Sequence, residues 1–76
     1  MIEKKYRVEW KVIEEIVVLY QSQGGWTKEL NLVSWNGDQP KYDVRWWNGD
    51  KTRLGKGFSF TKEELKIMYN TLATVL

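Results

Sequence analysis

The segment GWTKELNLVSWNGDQPKYDVR, residues 25–45, carries a strong turn signal between two β-rich stretches. A β-rich stretch from Trp26 to Trp35 comes first, the sequence NGDQP follows, and a second β-rich stretch begins at Lys41. Asn-Gly is a strong turn signal because both residues tolerate a positive φ, and the proline that follows cannot donate to a ladder of hydrogen bonds. The segment therefore predicts two antiparallel strands joined by a turn.

Further strands flank this hairpin on both sides. The sequence VEWKVIEEIVVLY, from Val8 to Tyr20, alternates at first and then becomes a continuous β-branched run, which is typical of a strand. The stretch KYDVRWW, Lys41–Trp47, completes the hairpin, and the sequence NGDKTRLGKG then reads as a loop. A short fourth strand is predicted at Phe58–Phe60.

A helix is predicted to follow the last strand. The sequence T-K-E-E starting at Thr61 is a capping box, in which the threonine hydroxyl and the Glu64 carboxylate each bond the other residue's amide. Apolar residues then recur at helical spacing, at Leu65, Met68, Tyr69, Leu72 and Leu76. We therefore predict an α+β fold: a four-stranded antiparallel β-sheet followed by one C-terminal α-helix (ββββα). It forms a single domain, residues 1–76, with the sheet at about 8–60 and the helix at about 62–75.

Length and composition limit what this domain can do. Its 76 residues contain no cysteine and no histidine, so disulfides and the usual zinc ligands are absent, and no cofactor is expected. A core this small is marginal without such supports, which predicts an obligate homodimer. The first residues, MIEKKYRVEWK, lack the apolar centre of a signal peptide, and the chain has no membrane-length apolar run. We expect a cytoplasmic protein, with association with the nucleoid as an alternative.

Strand alternation predicts which side chains share a face. We expect Leu30 and Leu32, with Tyr42 and Val44, to form the core beneath the helix. The other parity then faces away from the helix, on what we call the open face. Its predicted members are Asn31, Val33, Trp35, Arg45 and Trp47.

The open face combines aromatic rings with positive charge. An exposed tryptophan stacks on any unpaired base, and Arg45 can bind a phosphate or lie flat on a base. Lys51, Arg53 and Lys56 are expected in a loop beside this face, along the path of a nucleic-acid backbone. Because a duplex hides its base faces, this combination favours single strands. The net charge of +2 means that any polyanion site must arise from local clustering.

Structural explanations compete with this interpretation. Trp35 and Trp47 have the alternative of ordinary cross-strand packing or burial in a dimer interface. Trp26 follows two glycines and has the alternative of packing at the start of its strand. Gly55-Lys56-Gly57 fits either a flexible connection or a close backbone approach to a phosphate.

Three elements together resemble a known family. These are Asp43-Val44-Arg45, then Gly55-Lys56-Gly57 followed by Phe-Ser-Phe-Thr, and then the capped helix. In this order they resemble the bacterial YdbC-type members of the transcriptional positive cofactor four family, and residues 25–45 are especially similar. The resemblance spans roughly residues 14–72.

The resemblance implies a strongly curved four-stranded sheet with a C-terminal helix, paired as a homodimer partly through the helices. It implies that the partner is single-stranded DNA. It also implies a role in transcription regulation, as a transcriptional coactivator, or in DNA maintenance. Trp35 matches the family's base-stacking aromatic, while Arg45 and Lys56 match its basic positions. The turn before Lys41 lacks the lysines of the eukaryotic members. The resemblance also adds Trp26, Lys28, Asn31 and Trp47 to the surface. The candidate nucleic-acid-binding residues are therefore Trp26, Lys28, Asn31, Trp35, Lys41, Arg45, Trp47, Lys51, Arg53 and Lys56.

Other functions remain as alternatives. A protein-interaction module would bury the open face against a partner, a single-stranded RNA binder would use the same stacking chemistry, and a carbohydrate-binding module would stack tryptophan on sugar rings. An enzyme is not expected, because histidine and cysteine are missing and Glu14 and Glu15 point to opposite sides of a strand. No cluster of acidic metal ligands is apparent in the sequence.

Overall fold

The computed structural model describes residues 8–76. Over this range the chain forms four strands and one helix, with all neighbouring strands antiparallel and in the order of the sequence. The elements are β1 (Trp10–Gln21), β2 (Thr27–Trp35), β3 (Lys41–Trp47), β4 (Leu54–Phe60) and α1 (Lys62–Val75). The predicted α+β fold, ββββα, is confirmed.

The fourth strand is longer than predicted. It begins at Leu54, not Phe58, so the expectation that Lys56 lies in a loop is wrong. Gly57 pairs with Arg45 across the sheet, and a Cβ at Gly57 would collide with the Arg45 side chain and the Val44 carbonyl. The glycine is therefore required by close packing inside a strand, whereas glycine in a sequence ordinarily argues against a strand.

The helix begins as predicted. The Glu64 amide donates to the Thr61 hydroxyl over 3.1 Å, and the Thr61 amide donates to the Glu64 carboxylate over 2.8 Å, which completes the capping box. The expectation that the helix covers a face of the sheet is wrong within residues 8–76, because α1 contacts only β3 and β4 and none of its residues is buried. Only Thr61 separates β4 from α1, and a helix of 14 residues extends about 21 Å from that edge strand.

The core lies on the face that was expected to be open. We call this the inner face, defined by Glu29, Asn31, Val33, Trp35, Asp43, Arg45 and Trp47. We call the opposite side the outer face, defined by Lys28, Leu30, Leu32, Tyr42, Val44 and Trp46. Val33 and Trp47 are fully buried, whereas Leu30, Leu32 and Val44 are only half-buried. The predicted core set is therefore wrong, although the predicted grouping of side chains is correct.

Strong coiling of the sheet explains this reversal. Trp10 pairs with Trp35 at one end of β2, and Trp47 pairs with Thr27 at the other end. On a flat strand those positions would lie about 26 Å apart, yet the rings of Trp10 and Trp47 are 5.9 Å apart. Strand β1 has three register irregularities, between residues 12 and 14, 15 and 17, and 18 and 20. Because bulges bend and twist a strand, they let the sheet wrap around its own inner face.

Candidate nucleic-acid interface

Trp35 and Arg45 form a stacked pair on the inner face. Trp35 ends β2 and is half-buried, beside the exposed turn of residues 36–40. The Arg45 Cζ atom lies 4.7 Å from the centroid of the Trp35 ring, within the range of a cation–π contact. These two candidates are therefore brought together as predicted, with a planar cation lying on a partly exposed indole.

Asp43 holds the arginine in this position. Arg45 donates from Nε and Nη2 to the two carboxylate oxygens of Asp43, over 2.8 and 2.9 Å, and from Nη1 to the Gly55 carbonyl over 3.1 Å. Asp43 is fully buried and also accepts from the Ser59 hydroxyl over 2.8 Å. A bidentate pair fixes both the position and the plane of the guanidinium. The arginine is thus preorganised, but its charge is already balanced.

Trp47 does not form part of an exposed platform. It shares the inner face with Trp35 and Arg45, but its exposure is 0%, so the expectation of an open stacking ring is wrong in this conformation. The coiled sheet brings Trp10 against it. Among the described residues, the indole nitrogens of Trp35 and Trp47 are buried without a hydrogen-bond partner. Tryptophan burial here follows from sheet curvature, which strand alternation does not encode.

Asn31 is likewise inaccessible as a contact residue. Only 1% of it is exposed, and its side chain accepts from the Ile16 amide and donates to Glu29. Burial raises the pKa of Glu29, but hydrogen bonds from Thr27, Asn31 and Lys51, together with the Lys51 charge, outweigh burial and hold that pKa below its usual value. The expectation that Asn31 lies on an open face is therefore wrong, since it is buried and its polar groups bind other parts of the sheet.

The connection between β3 and β4, residues 48–53, carries two candidate cations. Lys51 adopts a φ of 58° and places its ammonium 3.3 Å from Glu29 and 3.6 Å from Glu15. Arg53 is exposed, and its amide donates to the Asn48 side chain. Hydrogen bonds from Thr52 lower the pKa of Asp50. The connection is therefore an internally bonded loop, and one of its two cations is directed at carboxylates.

Lys28 and Lys56 lie at a groove on the outer face. The groove has a volume of about 260 Å³ and also contacts Trp46 and Phe58. The Lys28 ammonium lies 5.1 Å from the centroid of the Trp46 ring, and Tyr20 meets the same ring edge-on. Strand alternation explains why Lys28 is separated from Trp35, since the two have opposite parity in β2. The structure therefore divides the candidate residues between two faces.

The remaining candidates lie at the margins of the sheet. Trp26 is half-buried, and its ring lies 3.2 Å from where a Cβ on Gly55 would stand. Lys41 is exposed at the start of β3, opposite Val33. Within residues 8–76, four of the candidate cations have no carboxylate within 4.0 Å: Lys28, Lys41, Arg53 and Lys56. Among the described residues, no carboxylate therefore balances the charge of these four side chains at close range.

Sequence reasoning missed the polar interior of the sheet. Glu29 is 5% exposed and Thr27 donates to it over 2.6 Å, yet neither was a candidate residue. A signal was present, because Thr27, Glu29 and Asn31 share the parity of Val33 and Trp35. Polar residues at alternate positions ordinarily indicate a solvated face, so this pattern favoured an open face where the structure has a buried one.

Comparison with known proteins adds one relative. An uncharacterized protein of Treponema pallidum (strain Nichols) is 43% identical over 54 residues, which cover 71% of this chain and 64% of the relative. The chain thus spans less than two thirds of that relative's length. No family model matches the chain. The helix of residues 8–76, α1, has 14 residues and is too short to span a membrane.

Proposed function

We propose that this chain is a sequence-tolerant single-stranded DNA-binding protein that acts in transcription regulation or DNA maintenance. The observation that carries the proposal is the half-buried Trp35 ring beneath the Arg45 guanidinium on the inner face. The earlier resemblance to the YdbC-type proteins supports the same proposal. In this account the protein has no catalytic group.

Two kinds of contact contribute to binding, base stacking and charge pairing with phosphates. An unpaired base stacks on the exposed part of Trp35, a contact worth on the order of 1–3 kcal/mol. The exposed cations Lys41 and Arg53 bind backbone phosphates near the inner face. Because both contacts tolerate any base, the protein discriminates strandedness more than sequence.

We propose further that two copies pair through α1 and the outer face. Large apolar side chains are exposed there: Val17, Tyr20, Phe58, Ile67, Leu72 and Val75. Phe58 is 73% exposed and Ile67 65%, which is costly for a chain that already has a small core. A second copy, presenting its own exposed helix, covers these side chains on both copies at once. Sedimentation equilibrium tests this directly, and a monomer at micromolar concentration contradicts it.

The binding proposal is tested by titrating the protein with oligo-dT, oligo-U and duplex DNA at two salt concentrations. We expect oligo-dT to bind and duplex to bind far more weakly. The logarithm of the affinity should fall with the logarithm of salt concentration, by a slope of about −0.7 per phosphate neutralised. Tighter binding of oligo-U would favour RNA as the ligand, whereas salt-insensitive binding of an oligosaccharide would favour a carbohydrate-binding module.

Arg45 is a poor residue for testing this proposal. Arg45→Ala would leave Asp43 as a buried carboxylate without its counter-charge, so we expect the variant to lose stability as well as binding. Lys41→Ala and Arg53→Ala change exposed side chains instead. We expect each to weaken oligo-dT binding uniformly across sequences and to reduce the salt slope, while the melting temperature stays unchanged.

A further inference from the structure

Lys51 links three parts of the sheet. It belongs to the connection between β3 and β4, and its ammonium contacts Glu29 of β2 over 3.3 Å and Glu15 of β1 over 3.6 Å. Glu29 is held in place by the Thr27 hydroxyl and the Asn31 amide. A loop cation is therefore paired with a carboxylate that two neighbouring side chains of β2 also bind.

The side chains of this contact differ in solvent exposure. The Lys51 side chain is 23% exposed and the Glu15 side chain 69% exposed, whereas the Glu29 side chain is only 6% exposed. A groove of about 260 Å³ lies beside the contact, lined partly by these three residues. Lys51 therefore has both the access to solvent and the adjacent space that release would require.

The buried Trp47 lies next to this connection. It is the last residue of β3, directly before the loop that carries Lys51. Its exposure is 0%, and the Trp10 ring of β1 lies 5.9 Å from its own ring. The contacts of Lys51 with Glu15 and Glu29 hold the loop that follows this ring against β1 and β2.

We propose that Lys51 is a releasable strap that keeps the inner face in a closed, weakly binding state. A phosphodiester backbone competes with Glu29 and Glu15 for the Lys51 ammonium, so a bound strand frees the loop and exposes Trp47 as a second stacking ring. This inference rests on the proposed function, because it describes the regulation of the same surface. It predicts that the affinity of the resting protein for a strand equals the affinity of the open form multiplied by the fraction of molecules that are open.

Glu29→Gln tests the strap, because it removes the anion and retains Lys51. We expect this variant to bind oligo-dT about three- to tenfold more tightly than the wild type. Glu63→Gln is the matched control, because it makes the same charge change at an exposed position of α1, outside the strands that form the inner face. Equal affinities for the two variants would overturn the proposal, since a general gain of positive charge would then explain any tightening.

A second measurement needs no nucleic acid. With 5-fluorotryptophan incorporated, the fluorine resonance of Trp47 is assigned by its loss in Trp47→Phe, and its solvent isotope shift reports exposure. We expect that shift to increase in both Glu29→Gln and Lys51→Met, and an unchanged shift in both variants overturns the strap. Failure of the wild type to bind oligo-dT would instead overturn the proposed function, so the two failures are distinguishable.

Discussion

The inner and outer faces of the sheet reverse the usual distribution of polarity. The inner face buries Glu29, Asn31 and Asp43 beside Trp47, and hydrogen bonds satisfy these carboxylates and the amide. The outer face leaves Phe58 and its apolar neighbours exposed. Preorganised polar groups beside a partly exposed tryptophan favour binding of a polar ligand, whereas exposed apolar side chains favour packing against another protein. The more buried face of this sheet is therefore also its more polar face.

The largest effect is expected from Asp43→Ala on the inner face. The change leaves Arg45, whose side chain is only 15% exposed, without its bidentate partner. We expect a loss of about 3 kcal/mol in the free energy of unfolding, measured by urea denaturation. Asp38→Ala, in the exposed turn, should change stability by less than about 0.5 kcal/mol. Equal stability of the two variants would contradict a polar core.

Gly57→Ala tests the close approach between β3 and β4. A methyl group at Gly57 would collide with the Arg45 side chain and the Val44 carbonyl, so the strands must move apart. We expect a loss of about 2 kcal/mol in the free energy of unfolding. Gly24→Ala is the control, because its Cβ would meet nothing closer than 4.0 Å. If both variants unfold at the same urea concentration, the strand assignment of residues 54–57 fails.

Leu72→Asp tests the proposed pairing of two copies through α1 and the outer face. Leu72 is 46% exposed on α1, and a charge there would be buried without a partner if two copies pair through their helices. We expect the dimer dissociation constant to rise at least tenfold, which corresponds to about 1.4 kcal/mol. Asn70→Asp adds the same charge at a neighbouring exposed position and should leave dimerisation nearly unchanged. An unaltered dimer in Leu72→Asp would place the interface elsewhere.

The smallest effect concerns the pH dependence of stability. The pKa of Glu29 is lowered in the folded state, so its contribution is fully present above its unfolded pKa of about 4.3. That contribution is lost as the pH falls through the lower, folded pKa. We therefore expect wild-type stability to fall more steeply below about pH 4.3 than that of Glu29→Gln. Parallel curves of unfolding free energy against pH would mean that the Glu29 network is not stabilising.

The sequence was sufficient to predict the order of elements and the grouping of side chains, for local reasons. Alternation places Trp35, Arg45 and Trp47 on one face whatever the sheet curvature, and the capping box locates the start of α1 at Lys62. Burial was not predictable in the same way. It depends on the three irregularities in β1, which contain no glycine or proline to mark them in the sequence. The position of α1 depends on its one-residue connection to β4, which helical periodicity does not reveal.

The Trp35 and Arg45 side of the sheet is the proposed binding site for unpaired bases. The most direct measurement compares the oligo-dT affinities of Trp35→Leu and Tyr20→Leu. The first variant removes a ring from the inner face, and the second removes a ring that is 60% exposed on the outer face. We predict that Trp35→Leu loses about 1–3 kcal/mol of binding free energy and that Tyr20→Leu retains wild-type affinity. Undiminished binding in Trp35→Leu, or an equal loss in both folded variants, would contradict the assignment of the ligand to the inner face.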